Sequence, residues 1–117
     1  INDLINGLYY IHTSKIKFHG NLSSKNCFVD NRWILKIKEF GLLTLIEDNR
    51  YNENDCMYLT EGVCENCRNY LWKSPEFLQN IVNPMYNEQM SDIFSFGVIL
   101  QECYTNRGPW EQQDSNI

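Results

Sequence analysis

The first residues of the chain carry apolar side chains at the spacing of a helix. They are Ile1, Leu4, Ile5, Leu8 and Ile11. This period places the side chains on one face, so the pattern predicts an amphipathic helix over residues 1–13. A polar loop over residues 19–25 follows it.

Two short apolar runs come next, NCFVD at 26–30 and WILKIK at 33–38. Asp30 and Asn31 stand at the junction between them, and both residue types favour turns. The runs therefore predict a β-hairpin.

The second half of the chain alternates loops with helical segments. Residues 47–69 are polar and acidic, which predicts a long loop of the kind that is usually functional or mobile. The run WKSPEFLQN at 72–80 predicts a short helix beginning near Pro75. Residues 91–105, SDIFSFGVILQECYT, are apolar nearly all round, which is typical of a buried helix capped by Ser91. Asp92 would then be a carboxylate at the head of that helix, where it needs hydrogen-bond donors.

Composition and charge narrow the classes of function. The 117 residues are enough for about one domain, and the net charge of −5 comes without a basic stripe, which argues against a nucleic-acid partner. No apolar run is long enough to span a bilayer, so we expect no membrane contact from this segment. Five cysteines at irregular spacing argue against a disulfide framework and favour a reducing compartment.

Four motifs in a fixed order carry the chemistry. They are H-x-x-L-x-x-x-N at His19, Leu22 and Asn26, EFG at 39–41, SPE at 74–76 and SDIFSFGVILQE at 91–102. Together they resemble the C-terminal lobe of a protein kinase. The resemblance implies an α+β fold, mainly helical with a small β-hairpin. It also implies that residues 1–117 form part of a kinase-like domain, from the catalytic-loop helix to the central buried helix, without the N-terminal lobe and the late C-terminal helices.

The chain departs from the kinase pattern where a kinase does its chemistry. The catalytic loop of kinases reads H-R-D, whereas this chain has His19, Gly20 and Asn21. The Asn21 amide cannot take the proton of an attacking hydroxyl, and loss of such a base costs about 10²–10⁴ in rate. Gly20 replaces the arginine that pairs with a phosphorylated activation loop. Glu39 replaces the metal-binding aspartate and displaces its carboxylate by about 1 Å.

Other positions keep what the resemblance implies. Asn26 and Glu39 offer oxygen ligands for Mg²⁺, and Lys25 keeps one charge that would face a phosphate of ATP. Asp92 and Glu76 would have structural roles, and so would His19 beneath the loop.

The phrase H-G-N-L-x-S-x-N-C-x-V-D-x-R-W, with LWKSPEFL and NRGPW, resembles the kinase-homology domain of receptor guanylate cyclases. That family joins an extracellular ligand-binding domain, one membrane span, this pseudokinase, a coiled coil and a cyclase that makes cyclic GMP from GTP as a homodimer. The resemblance implies a regulatory, ATP-binding segment on the cytoplasmic side of the membrane that does not transfer phosphate. Many members keep aspartate at position 39, so Glu39 is a departure within the family as well.

Two other interpretations stay open from the residues. The first is an atypical active kinase, similar to tyrosine kinases, that uses Lys25, Asn26 and Glu39. The second is a zinc-binding loop at Cys64 and Cys67 with Cys56 nearby, although structural zinc needs four ligands and no second pair is present. Residues 21–23, Asn-Leu-Ser, match a glycosylation sequon, which is a chance match if the segment is cytosolic, as the resemblance implies.

Overall fold

The computed structural model describes residues 1–40, 69–79 and 88–111 of the chain. Its elements are the helices α1 (Asn2–Thr13), α2 (Pro75–Leu78) and α3 (Glu88–Thr105), the strands β1 (Cys27–Val29) and β2 (Leu35–Ile37), and 3₁₀ turns at Ser24–Asn26 and Asn69–Trp72. The predicted α+β architecture, mainly helical with one hairpin, is confirmed. Residues 41–68 lie outside the described residues, and they include Gly41 of the EFG motif and nearly all of the predicted long loop.

Helix α1 matches its prediction closely. Leu4, Leu8 and Ile11 are buried, as their shared face requires. Ile1 and Ile5 were expected on the same face, but they are 65% and 47% exposed. The buried stripe of the helix is therefore narrower than the apolar pattern.

The predicted hairpin is confirmed as an antiparallel pair in which Cys27 lies opposite Ile37. Its turn is held by the Asp30 carboxylate, which accepts the N–H groups of Arg32 at 2.8 Å and Ile34 at 3.1 Å. Helix α1 packs against β2, and the Asp3 carboxylate accepts the N–H of Leu35 at 3.0 Å.

Helix α2 begins at Pro75, as the sequence predicts. The hydroxyl of Ser74 caps it by accepting the N–H of Phe77 at 3.3 Å. The same hydroxyl donates to Oγ of Ser91 at 3.3 Å, which ties the start of α2 to α3.

Helix α3 corrects the prediction for its first turn. It begins at Glu88 rather than Ser91, because Glu, Gln and Met are good helix formers and extend it toward the N-terminus. Ser91 therefore lies within the helix and does not cap it. Asp92 stands in the second turn rather than at the head of the helix.

The expectation that α3 is buried on every side is wrong. Met90, Ile93 and Tyr104 are 63%, 55% and 92% exposed. The buried face carries Ser91, Asp92, Ser95, Val98 and Ile99. Polar partners fix this face inward, since Ser95 donates to the carbonyl oxygen of Trp72 at 2.6 Å and Asp92 binds the loop described below. An apolar pattern alone does not contain this information.

A single apolar cluster joins the described segments. It consists of Leu4, Leu8, Leu22, Trp72, Val98 and Ile99. Leu22 sits in this cluster and fixes the loop over residues 19–26 against both long helices. No helix within the described ranges is long and apolar enough to cross a bilayer.

Candidate functional site

Asp92 is the anchor of the loop over residues 19–26, which we call the 19–26 loop. The residue is 1% exposed, so its carboxylate requires hydrogen-bond donors. Oδ2 accepts Nε2–H of His12 at 2.8 Å and the backbone N–H of His19 at 2.6 Å. Oδ1 accepts the N–H of Gly20 at 3.0 Å. Three donors from α1 and the loop thus satisfy one buried carboxylate of α3.

His19 links the loop to the hairpin. Its side chain is fully buried, and Nε2 lies 2.9 Å from the carbonyl oxygen of Lys38 while Nδ1 lies 3.1 Å from the backbone nitrogen of Asn21. Only a neutral ring protonated at Nε2 satisfies both contacts. Burial accordingly lowers the pKa of His19 below its ordinary value, against the attraction of the Asp92 carboxylate. These contacts hold the loop in shape and leave neither ring nitrogen free for proton transfer.

The backbone at Gly20 adopts a conformation that favours glycine. Its φ is 81°, in the left-handed region. The carbonyl oxygen of Gly20 accepts a hydrogen bond of 2.5 Å from Nζ of Lys73. The position that kinases fill with arginine is thus occupied here by bare backbone, and a lysine from the segment before α2 contacts it.

The loop brings Asn21 and Asn26 into contact, and the hairpin places Glu39 at the same end as Asn26. Nδ2 of Asn26 donates to the carbonyl oxygen of Asn21 at 2.7 Å. The N–H of Lys38 donates to the carbonyl oxygen of Asn26 at 2.9 Å, which extends the hairpin ladder by one rung. Glu39 follows directly, so the two predicted magnesium ligands lie at the same end of the hairpin.

The chemistry of these donors suits Mg²⁺. Because Nδ2 of Asn26 is committed to Asn21, the amide oxygen Oδ1 is the atom left to act as a ligand. Glu39 adds a half-exposed carboxylate, whose Oε1 lies 3.9 Å from Nζ of Lys38. Amide and carboxylate oxygens are the hard ligands that Mg²⁺ prefers. Glu39 has φ of 62°, an uncommon conformation for a glutamate, and such outliers concentrate at ligand sites.

Lys25 and Glu76 stand apart from this pair. Nζ of Lys25 lies 5.8 Å from the centroid of the Trp72 ring, within the reach of a cation–π interaction. Glu76 is exposed in the first turn of α2. The structure therefore joins Asn21 to Asn26, places Glu39 at the same end of the hairpin, and places Lys25 beside the segment before α2.

Three residues that the sequence analysis did not single out complete the site. Glu102 of α3 accepts the hydroxyl of Ser24 at 3.0 Å and Nε1–H of Trp72 at 2.9 Å, while His12 and Lys73 make the contacts given above. Glu102 is a carboxylate in an apolar helix, so the argument that identified Asp92 applies to it as well. His12 and Lys73 carry no such signal, because a helix end and a short polar run are ordinary places for exposed charges.

The cysteines within the described residues are two free thiols. Cys27 is half-buried and Cys103 is exposed. Burial raises the pKa of the Cys27 thiol to about 11. Cys56, Cys64 and Cys67 lie outside the described residues. In the described part of the chain, no three His, Cys, Asp or Glu side chains cluster as metal ligands would.

A loop anchored by a buried aspartate, followed by a hairpin and a long central helix, defines a protein-kinase-like segment. The family model for protein tyrosine and serine/threonine kinases matches residues 1–116. The chain belongs to the protein tyrosine and serine/threonine kinase family.

Curated relatives narrow the resemblance. The receptor-type guanylate cyclase Gyc76C of Drosophila melanogaster is 38% identical over 112 residues, which are 96% of this chain and 7% of that protein. The speract receptor of Strongylocentrotus purpuratus is 36% identical over 118 residues, 100% of this chain and 10% of that protein. The human atrial natriuretic peptide receptor 2 is 36% identical over 110 residues, 94% of this chain and 10% of that protein.

The chain spans about a tenth or less of the length of these curated relatives. Within that span, the resemblance to the kinase-homology domain of receptor guanylate cyclases is confirmed.

Proposed function

We propose that this chain is part of a regulatory kinase-homology domain that binds ATP with Mg²⁺ and does not transfer its phosphate. The observation that carries the proposal is that the 19–26 loop is held by hydrogen bonds although it has the amide Asn21 where a kinase has its catalytic base. Asn21 occupies the position of the catalytic base, yet its N–H and its carbonyl oxygen are held by His19 and Asn26. The loop therefore keeps its geometry without a group that can accept a proton.

Asn26 and Glu39 would hold the metal in this proposal, and Lys25 would face a phosphate. A bound Mg²⁺ would neutralise phosphate charge at the end of the hairpin. The placement of Asn26 and Glu39 at the same end of the hairpin supports this assignment. The complete domain would contribute the other half of the nucleotide site from its N-terminal lobe.

The names of the relatives support a parent protein of the receptor guanylate cyclase class. Such a parent would convert GTP into cyclic GMP in a downstream cyclase domain, and this segment would regulate that domain within a homodimer. It would then lie on the cytoplasmic side of a single-pass membrane protein. The partners of the segment would be the N-terminal kinase-like lobe and the cyclase domain of the same chain.

The test measures ATP binding and γ-phosphate transfer on the complete kinase-like domain. We expect Mg²⁺-dependent ATP binding, weakened in Glu39→Gln and unchanged in the matched exposed control Glu88→Gln. We expect no transfer, and we expect Asn21→Asp alone not to restore it while Gly20 and Glu39 remain.

One observation favours an active kinase as the second candidate, namely that Asn26 is retained and that a carboxylate, Glu39, still stands at the same end of the hairpin. Turnover in the ordinary kinase range of about 1–100 s⁻¹ would establish that candidate and reject the first. An ATP affinity that changes neither on removal of Mg²⁺ nor in Glu39→Gln would reject the assigned metal ligands.

A further inference from the structure

The peptide group between Gly20 and Asn21 is held at both ends. Its carbonyl oxygen accepts Nζ of Lys73 at 2.5 Å, and its N–H donates to Nδ1 of His19 at 3.1 Å. The flanking N–H groups of His19 and Gly20 are fixed by Asp92. The Asp92 carboxylate and the Lys73 ammonium therefore hold consecutive peptide groups of the loop.

Glycine makes this peptide group easy to turn. Gly20 has no side chain, and its φ of 81° is one of several conformations that glycine adopts at little cost. A flip of the Gly20–Asn21 peptide would break both contacts, directly beside the Asn21 carbonyl oxygen to which Asn26 is bonded. The hydrogen bond to the neutral His19 ring is the weaker of the two, since bonds from a charged donor are roughly twice as strong.

We propose that Lys73 is a positioning residue that fixes the Gly20–Asn21 peptide in one orientation and thereby couples the segment over residues 69–79 to the 19–26 loop. The proposal does not depend on nucleotide binding.

The surroundings of Lys73 indicate that its charge does not stabilise the folded protein. The residue is 9% exposed, and its Nζ also lies 4.9 Å from the centroid of the Phe77 ring. Asp92 and His19 are the titratable groups facing it, and burial lowers the pKa of Lys73 to about 8 although the Asp92 carboxylate opposes this shift. Asp92 has three other donors, so an apolar side chain of similar length would remove a costly buried charge and leave the carboxylate hydrogen-bonded, while the Gly20 carbonyl oxygen would lose its donor.

The contact between Lys73 and Gly20 joins the segment over residues 69–79 to the 19–26 loop, which is far from it in sequence. Trp72 and Ser74, on either side of Lys73, are both bonded to α3 through Ser95 and Ser91. A displacement of this segment would therefore carry Lys73 away from Gly20 and release the peptide. The orientation of the Gly20–Asn21 peptide would then depend on the position of the segment before α2.

Hydrogen–deuterium exchange on the full chain, resolved to the Asn21 amide, tests the proposal. We expect Lys73→Met to accelerate exchange at Asn21 by about tenfold or more, since local opening follows local contacts. The amides of α1 should change less than about twofold, and the unfolding midpoint should not fall. Lys73→Arg, which keeps the charge, should restore protection, and Lys15→Met is the matched control for losing an exposed lysine.

Three results would overturn the proposal. Unchanged exchange at Asn21 in Lys73→Met would show that His19 alone holds the peptide. A uniform acceleration across the chain, or a lowered unfolding midpoint, would show a general structural role. A folded Lys73→Arg variant without restored protection would show that the charge is not the agent.

Discussion

Gly20 and Gly97 differ in whether their backbone conformation favours glycine. Gly20 has φ of 81°, whereas Gly97 lies in α3 and a Cβ there would meet no atom within 4 Å. A side chain at Gly20 must therefore enter the left-handed region, while a side chain at Gly97 meets open space. The arginine that kinases carry at position 20 would face the same backbone strain in this loop.

The same substitution at these two positions should change stability in opposite directions. Gly20→Ala should lower the free energy of unfolding by about 1–2 kcal/mol, the cost of left-handed backbone in an L-residue. Gly97→Ala should raise it by about 0.5–1 kcal/mol, because alanine loses less backbone entropy in a helix. Urea unfolding of the purified variants measures both changes. Equal changes at the two positions would mean that the loop backbone rearranges to accept the added methyl group.

Helix α1 and strand β2 approach each other at a glycine. A Cβ on Gly7 would come within 2.7 Å of Cδ1 of Ile37. Glycine in the middle of a helix costs roughly 0.5–1 kcal/mol relative to alanine, so close packing on the hairpin accounts for its presence there. This contact, with the bond from Leu35 to Asp3, fixes the hairpin on the helix.

A double-mutant cycle at this contact should show coupling. Gly7→Ala alone should change the free energy of unfolding by less than about 1 kcal/mol, since the helix gains propensity and the Ile37 methyl must move. In an Ile37→Val background, which removes Cδ1, the same substitution should stabilise by about 0.5–1 kcal/mol. Denaturant unfolding of the four proteins measures the coupling. Gly97→Ala in both backgrounds is the control, and an equal effect of Gly7→Ala with and without Cδ1 would contradict the packing argument.

The elements themselves were predictable where local rules dominate. The helical period of Leu4, Leu8 and Ile11 and the turn residues Asp30 and Asn31 gave α1 and the hairpin, because helix period and turn chemistry are local properties. The buried face of α3 was not predictable, since partners distant in sequence decide which way Asp92 and Ser95 point, whereas its start at Glu88 follows from the local helix propensity of Glu, Gln and Met. The same limit applied to the site. Motif spacing predicts Asn26 and Glu39 as metal ligands, whereas the contact between Lys73 and Gly20 depends on tertiary structure.

At the scale of the whole molecule, the described segments meet around one buried carboxylate. Asp92 of α3 is bonded to His12 at the end of α1 and to the 19–26 loop, and Lys73 brings the segment before α2 to the same loop. His19 extends the group to the hairpin. Because burial lowers the pKa of both His19 and Lys73, the charge state of this centre changes the stability of the entire arrangement.

Lys73 should make the protein more stable as the pH rises above neutrality. Its pKa falls from 10.5 in the unfolded chain to about 8 in the folded protein, so between these values the unfolded state binds more protons. The stabilisation is therefore complete above the unfolded pKa and is lost as the pH falls through about 8. One pKa unit corresponds to about 1.4 kcal/mol, and the full interval amounts to about 3 kcal/mol.

The test measures the free energy of unfolding of the wild-type protein and of Lys73→Met from about pH 7 to about pH 10. The value for the wild-type protein should rise by up to this amount relative to the variant. Lys15→Met, which removes an exposed lysine, is the control. Parallel pH profiles of the free energy of unfolding for the wild-type protein and Lys73→Met would show that burial of the Lys73 ammonium does not destabilise the protein. That result would remove the main argument that the charge positions the 19–26 loop instead of stabilising the fold.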